Sequence, residues 1–253
     1  MITILSPAKT LDFETRFDHL PVTVPEDIEM SEKLIKKLRT VSGKKLASLM
    51  NLSKDLATLN VDRYQNWSTE FNKENSRPAL MTFAGDVFRG MDNKSFTEED
   101  LVFANQHVRL LSGLHGLLRP LDQIQPYRLE MGTSLPVGRK KNIYQFWGDR
   151  VTNRINEAME AAGTDTLLNL ASTEYSKVVD LKKINGRVIT PVFKDLKNGE
   201  YKVVMTWAKL ARGMMTGFMV RNRLTNVEDI IGFNEYQYSE PLSTDSEWVF
   251  TRG

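Results

Sequence analysis

Residues 2–5, Ile-Thr-Ile-Leu, run directly into Ser6-Pro7-Ala8-Lys9-Thr10, and this junction constrains the fold more than any other stretch. A short apolar, β-forming run reads as a strand buried on both faces, the pattern of a parallel or mixed sheet. Pro7 removes a backbone donor and fixes φ, so the strand ends there. The loop beyond it lies at a strand's C-terminal end, where open α/β sheets place ligand chemistry. Ser6, Lys9 and Thr10 are therefore candidates for a polar cleft, and an ordinary surface loop is the alternative.

The rest of the chain supplies the helices and strands such a sheet needs. From Pro25 to Arg39, the apolar positions Ile28, Leu34, Ile35 and Leu38 share one helical face, with acids early and Lys/Arg late. A Ser42-Gly43 break precedes a second helical tract reaching Trp67. Residues 77–90 read as a strand leaving through Gly85-Asp86. Thr97 and Asp100 form a capping box that opens a helix toward His107. Residues 149–162 are helical, stopped by Gly163. The stretches "TLLNLAS", "RVITPVF" and "YKVVMTW" read as strands, with Pro191 pushing the second toward an edge or a bulge. A helix from about Ala208 to Arg223 and a last strand, "EWVFTR", complete the pattern. The expected fold is α/β (mixed α+β): a single domain over residues 1–253, its mixed sheet faced by helices, with a helix-hairpin-helix-like segment near residues 44–66. No linker or internal repeat marks a boundary.

Composition removes several function classes. The 253 residues are 41% apolar and 26% charged, as in an ordinary globular protein, and contain no cysteine. Disulfides, thiol catalysis and zinc–thiolate sites are thus excluded. His19, His107 and His115 are too few and too scattered for a metal motif, and no phosphate loop, Gly-x-Gly-x-x-Gly or Gly-x-Ser-x-Gly is present. No metal and no cofactor is expected. Nothing resembles a signal peptide or an apolar run of about 18 residues, so a cytoplasmic protein with no membrane contact is expected. The net charge is only +2, so any electrostatic footprint must come from local clustering.

Four clusters carry candidate chemistry. In residues 46–60 two helices flank a tight turn at Asn51 and Ser53, and Lys54 comes next, a layout that exposes backbone N–H groups to a phosphate oxygen. Asn51 and Ser53 stand where a DNA-binding hairpin prefers glycine, and plain helix packing is the alternative. In residues 208–224, Lys209, Arg212, Thr216 and Arg223 fall within one arc of a helix, and residues 201–227 hold five Lys/Arg with no acid. Gly213 and Gly217 in that helix imply close approach of another backbone or of a ligand. In residues 107–132, Pro120 and Pro126 stiffen a loop delivering Tyr127, a stacking face, and Arg128, an oxyanion fork, unless Glu130 occupies it. After the "TLLNLAS" strand, Asn169, Ser172, Glu174 and Tyr175 sit at a strand end, suited to acid–base work or to gripping an anion.

Taken together, "SPAKTLD", "LSGLHGLLRPLDQIQPYRLEMG", "FWGD", "NLAS", "TPVF" and "AKLARGMM" followed by "RNRL" resemble the YaaA family of peroxide stress proteins, in order over most of the chain. The resemblance implies a single mixed α/β domain of unusual topology, with a positively charged cleft and a helix-hairpin-helix segment. It also implies protection against hydrogen peroxide, lowered free iron, and binding of duplex or branched DNA. The cleft maps onto Lys9, Arg128, Lys209 and Arg212, and the hairpin onto Asn51, Ser53 and Lys54. Two functions are expected: a DNA-binding stress protein that grips phosphates, from the acid-free ridge, the hairpin and the resemblance; or, because Lys9, Arg128, Glu174 and Tyr175 all sit just after strands, an enzyme acting on a nucleotide, nucleobase or other small anion in the same cleft.

Overall fold

A computed structural model describes residues 1–253. Ile2–Leu5 (β1) is buried along its whole length because it lies inside an eight-stranded sheet. The other strands of this sheet are Val108–Ser112 (β2), Gly116–Leu118 (β3), Thr166–Asn169 (β4), Arg187–Lys197 (β5), Glu200–Lys202 (β6), Gln237–Tyr238 (β7) and Glu247–Arg252 (β8). Their order across the sheet is β7-β8-β5-β4-β1-β2-β3, with β6 pairing β5. The five central strands are parallel, whereas β2–β3, β5–β6 and β7–β8 are antiparallel pairs. The sheet is thus mixed, as the alternating elements and short hairpins require.

Seven helices shape the candidate site and its surroundings: Ile28–Arg39 (α1), Gly43–Met50 (α2), Lys54–Asn66 (α3), Asp86–Met91 (α4), Glu98–His107 (α5), Arg150–Ala161 (α6) and Met205–Arg221 (α7). Helix α1 buries Leu34, Ile35 and Leu38 as its spacing predicts. The capping box of α5 forms with both bonds, Asp100 N to the Thr97 hydroxyl at 3.2 Å and Thr97 N to the Asp100 carboxylate at 3.0 Å. Helix α6 ends before Gly163, which adopts φ +60°.

Three expectations are corrected. Residues 77–90 do not form one strand; two-residue strands at Arg77–Pro78 and Phe83–Ala84 flank a helical turn, and α4 begins at Asp86. Residues 203–207 of "YKVVMTW" are not strand either, since β6 stops at Lys202 and α7 starts at Met205. Strand β5 is interior rather than an edge. It pairs β4 only through Ile189 and β8 from Thr190 onward. Thr190 N bonds the Ser246 carbonyl on the β8 side, so Pro191 presents its missing N–H to the flank where β4 has already ended.

The glycines of α7 are explained by a helix–helix contact. A Cβ on Gly213 would lie 1.8 Å from the Val87 carbonyl oxygen, and one on Gly217 2.6 Å from that of Met91, both in α4. Reciprocally, a Cβ on Gly90 of α4 would lie 2.2 Å from the Leu210 carbonyl oxygen. The two helices therefore pack backbone on backbone.

Candidate functional site

Because β2, β1 and β4 are parallel and in register, with Leu5 opposite Leu110 and Ile4 opposite Asn169, their C-terminal ends meet at one sheet edge. This brings Ser6, Ser112 and Asn169 together, as the opening Pro7 junction suggests. The Ser6 hydroxyl accepts from Ser172 N at 2.8 Å and lies 3.1 Å from the Ser172 hydroxyl. Asn169 Oδ1 accepts from Ala171 N at 3.2 Å, and its amide nitrogen donates to the Thr190 hydroxyl at 3.3 Å. Thr10 lies just outside, exposed, in a two-residue strand pairing with Ala84.

The cations of the opening loop and of the 107–132 stretch do converge, and they converge on an acid. Lys9 Nζ is 3.0 Å and the Arg128 guanidinium 2.9 Å from the same Glu130 oxygen. Arg128 and Glu130 side chains are each 17% exposed. Lys9, Arg128, Glu130, Tyr127 and Tyr175 enclose a cavity of about 10 Å³, room for about one water. The two cations therefore share one carboxylate rather than standing free, a net charge of +1 among the three groups. Glu174 accepts from Gly132 N at 3.3 Å and so holds the loop that carries Arg128 and Glu130.

Tyr127 does not offer the stacking face expected of it. It is buried edge-on against His115, ring centroids 5.3 Å apart, with its hydroxyl 2.6 Å from that of Ser112. Burial raises its pKa, as it does for Tyr175, which is also buried. Both rings are walls of the cleft.

The segment near residues 44–66 forms a helical hairpin. Ser42 caps α2, Asn51 ends it in the left-handed region (φ +50°), and the Ser53 hydroxyl accepts from Leu56 N at 3.3 Å to cap α3. Ser53 is thus occupied as a cap, while Lys54 is exposed. Leu56 and Leu59, 41% and 43% exposed, face outward. The hairpin is tied to the cleft by a bond that sequence reading missed: the Tyr64 hydroxyl donates to the Arg128 carbonyl. Arg63 beside it is lowered in pKa, first by burial and then also by Arg128.

The ridge on α7 is reorganised. Thr216 is fully buried and its hydroxyl bonds the Arg212 carbonyl at 2.8 Å. The helix stops at Arg221, and Arg223, at φ +54°, turns back onto the Asp100 carboxylate at 2.5 Å. The expectation that Arg223 belongs to the cleft is corrected on this ground: the acid that caps α5 neutralises it. Lys209 is exposed and Arg212 half-buried, and neither pairs with a carboxylate. Burial alone lowers the Arg212 pKa.

The family profile described as "Peroxide stress protein YaaA" matches residues 1–241. The chain belongs to this family. It is 48% identical over 254 residues to a UPF0246 protein of Aliivibrio fischeri (strain MJ11), covering all of this chain and 98% of that one. It is 46% identical to a UPF0246 protein of Saccharophagus degradans, covering 99% of it. An oxidative stress role goes with membership of the YaaA family. No helix is long and apolar enough to cross a membrane.

Below the cleft, His115 is fully buried, with Nδ1 2.9 Å from the Ser31 hydroxyl and Nε2 without a partner. Burial drives its pKa from 6.5 down to about 3. The unfolded chain takes up a proton below about pH 6.5 that the folded chain refuses. Stability is therefore intact above that pH and falls as pH drops toward 3, with a slope approaching about 1.4 kcal/mol per unit. Urea unfolding at pH 7 and pH 5 should show a smaller acid loss in His115→Gln than in the wild type. Equal losses in the two proteins would acquit His115.

Proposed function

We propose that the protein binds DNA through phosphate contacts during peroxide stress, using the hairpin face and the adjoining mouth of the cleft. The observation that carries this reading is an acid-free tract. Residues 33–54 hold seven Lys/Arg and no Asp or Glu, and they form the end of α1, all of α2 and the turn into α3. Two of the seven are committed: Lys36 pairs with Glu32 at 2.9 Å, and Arg39 donates to the Tyr64 and Trp67 carbonyls at the end of α3. Lys33, Lys37, Lys44, Lys45 and Lys54 have no carboxylate partner, and the half-paired Lys9 and Arg128 lie across the Tyr64 link. Such a surface suits a regular array of phosphates and carries no base readout.

The chemistry fits the stress. DNA condenses cations, iron among them, and a protein that neutralises phosphates releases those cations. Peroxide then meets less iron beside the bases. The cytoplasm is the compartment this role requires.

The test is duplex titration over a range of salt. Replacing Lys44, Lys45 and Lys54 together with Ala should make the log–log salt slope shallower by about 2.7, or 0.9 for each lost phosphate contact. A variant with wild-type affinity and slope would remove the hairpin from the interface.

A further inference from the structure

Strands β5 and β6 are joined by Asn198-Gly199, both in the left-handed region at φ +56° and +80°, as a type I′ hairpin turn requires. In a two-residue hairpin the residues flanking the turn exchange both of their backbone bonds. Of the three pairs in register, Lys197–Glu200 and Asp195–Lys202 are therefore hydrogen-bonded and Leu196–Tyr201 is not. Glu200 and Lys202 aim their backbone groups at β5, whereas Tyr201 aims its N–H and C=O away from the sheet. Strand β6 pairs with β5 alone, and all three of its residues are exposed. Its outer edge is open.

An open edge invites another strand unless its charges repel one. The charges here are opposite in sign and stand two residues apart, so they match the same edge turned around. In an antiparallel pairing of two copies centred on Tyr201, each Tyr201 exchanges both outward bonds with its counterpart. Glu200 then faces Lys202 of the second copy, and Lys202 faces Glu200. Within one strand the two side chains already lie 2.7 Å apart. Two copies thus set four charges in a square of alternating sign, on one face of the joined strands. On the other face Tyr201 meets the second Tyr201, with Leu196 of β5 beside it.

The surface around this edge is unusually apolar. Five of the thirteen large apolar side chains that the molecule exposes fall within residues 196–207: Leu196, Tyr201, Val203, Met205 and Trp207. They belong to the hairpin and to the start of α7, so they form one neighbourhood rather than a scatter of single residues. Such clustering marks an interaction surface.

We propose that the protein associates with a second copy of itself through β6, the two edge strands pairing antiparallel about Tyr201 and joining their sheets. The inference does not depend on the phosphate contacts proposed for the lysine-rich hairpin of α2 and α3.

Sedimentation equilibrium of the full chain, free of nucleic acid, tests it. An edge this short gives a weak dimer, with an expected Kd of about 10–100 μM. Glu200→Lys and Lys202→Glu each set like charges opposite one another twice, and each should weaken self-association about 10-fold or more. An equimolar mixture of the two variants restores opposite charges at both pairs and should recover most of the wild-type affinity. That recovery also excludes misfolding as the cause of the loss. A wild type that stays monomeric up to several times the expected Kd overturns the proposal. So does either variant dimerising as the wild type does, or a mixture that associates no more tightly than its components.

Discussion

Gly213→Ala should lower stability by about 3 kcal/mol, which for a chain of this size is a fall in melting temperature of about 6–12 °C. The new methyl group would sit 1.8 Å from the Val87 carbonyl oxygen and 2.7 Å from Met91 N. Both are backbone atoms, so no side-chain rotation relieves the clash, and α4 and α7 must separate. Gly43→Ala is the matched control. At the first position of α2 its methyl group would meet only Val61 Cγ2, at 3.9 Å, and the change should be neutral or stabilise by up to about 1 kcal/mol. Thermal unfolding followed by circular dichroism separates the two outcomes. A Gly213→Ala protein that melts with the wild type would mean that the helices are not in backbone contact.

Arg252→Ala should be about as damaging, at about 3–5 kcal/mol. Asp195 is only 2% exposed. It accepts from Arg252 at 2.7 Å and 2.8 Å and from the Tyr236 hydroxyl at 3.0 Å. The Arg252 guanidinium also lies over the Tyr236 ring, 4.5 Å from its centroid. Removing the arginine leaves a buried carboxylate held by a single neutral hydroxyl. Adding Asp195→Asn to Arg252→Ala should recover part of the loss, because a neutral amide is less costly to bury unpaired. Additive losses in denaturant melts of the two single variants and the double would trace the damage to lost packing instead.

The architecture was legible where one local rule governed each element. The apolar opening strand, the capping box of α5, the glycine stop after α6 and the backbone approach at Gly213 all arise from short-range patterns. Prediction failed where tertiary neighbours decided. Pro191 sits in an interior strand because β4 ends before it, a matter of register that no window of sequence contains. The strand expected over residues 77–90 gives way to a helical turn and to α4, whose Val87 and Gly90 meet α7 backbone on backbone, a tertiary contact that no local pattern announces.

The candidate site divides in the same way. Placing Ser6, Lys9, Asn169 and Ser172 at strand ends needed only the strand boundaries, and these were readable. Which charges remain free was readable only at Arg128, whose neighbour Glu130, two residues on, was the open alternative and does occupy it. That Lys9 joins them on Glu130 and that Arg223 folds back onto Asp100 was not, because folding brings together side chains that no single window holds. The acid-free tract at 33–54 is visible in the composition, but it is split across three elements, so no single helical face announces it. Tyr64 gave no local signal, since its partner is a backbone carbonyl 64 residues away.

Arg39 has a consequence for the DNA contact proposed for the hairpin. By clamping the carboxyl end of α3 from α1, while Tyr64 fastens the same helix to the Arg128 loop, the chain holds its lysine face in one shape before any partner arrives. Docking should then proceed nearly as a rigid body, with little ordering entropy to overcome. The speed of encounter should be governed by long-range attraction, and so be steeply sensitive to ionic strength.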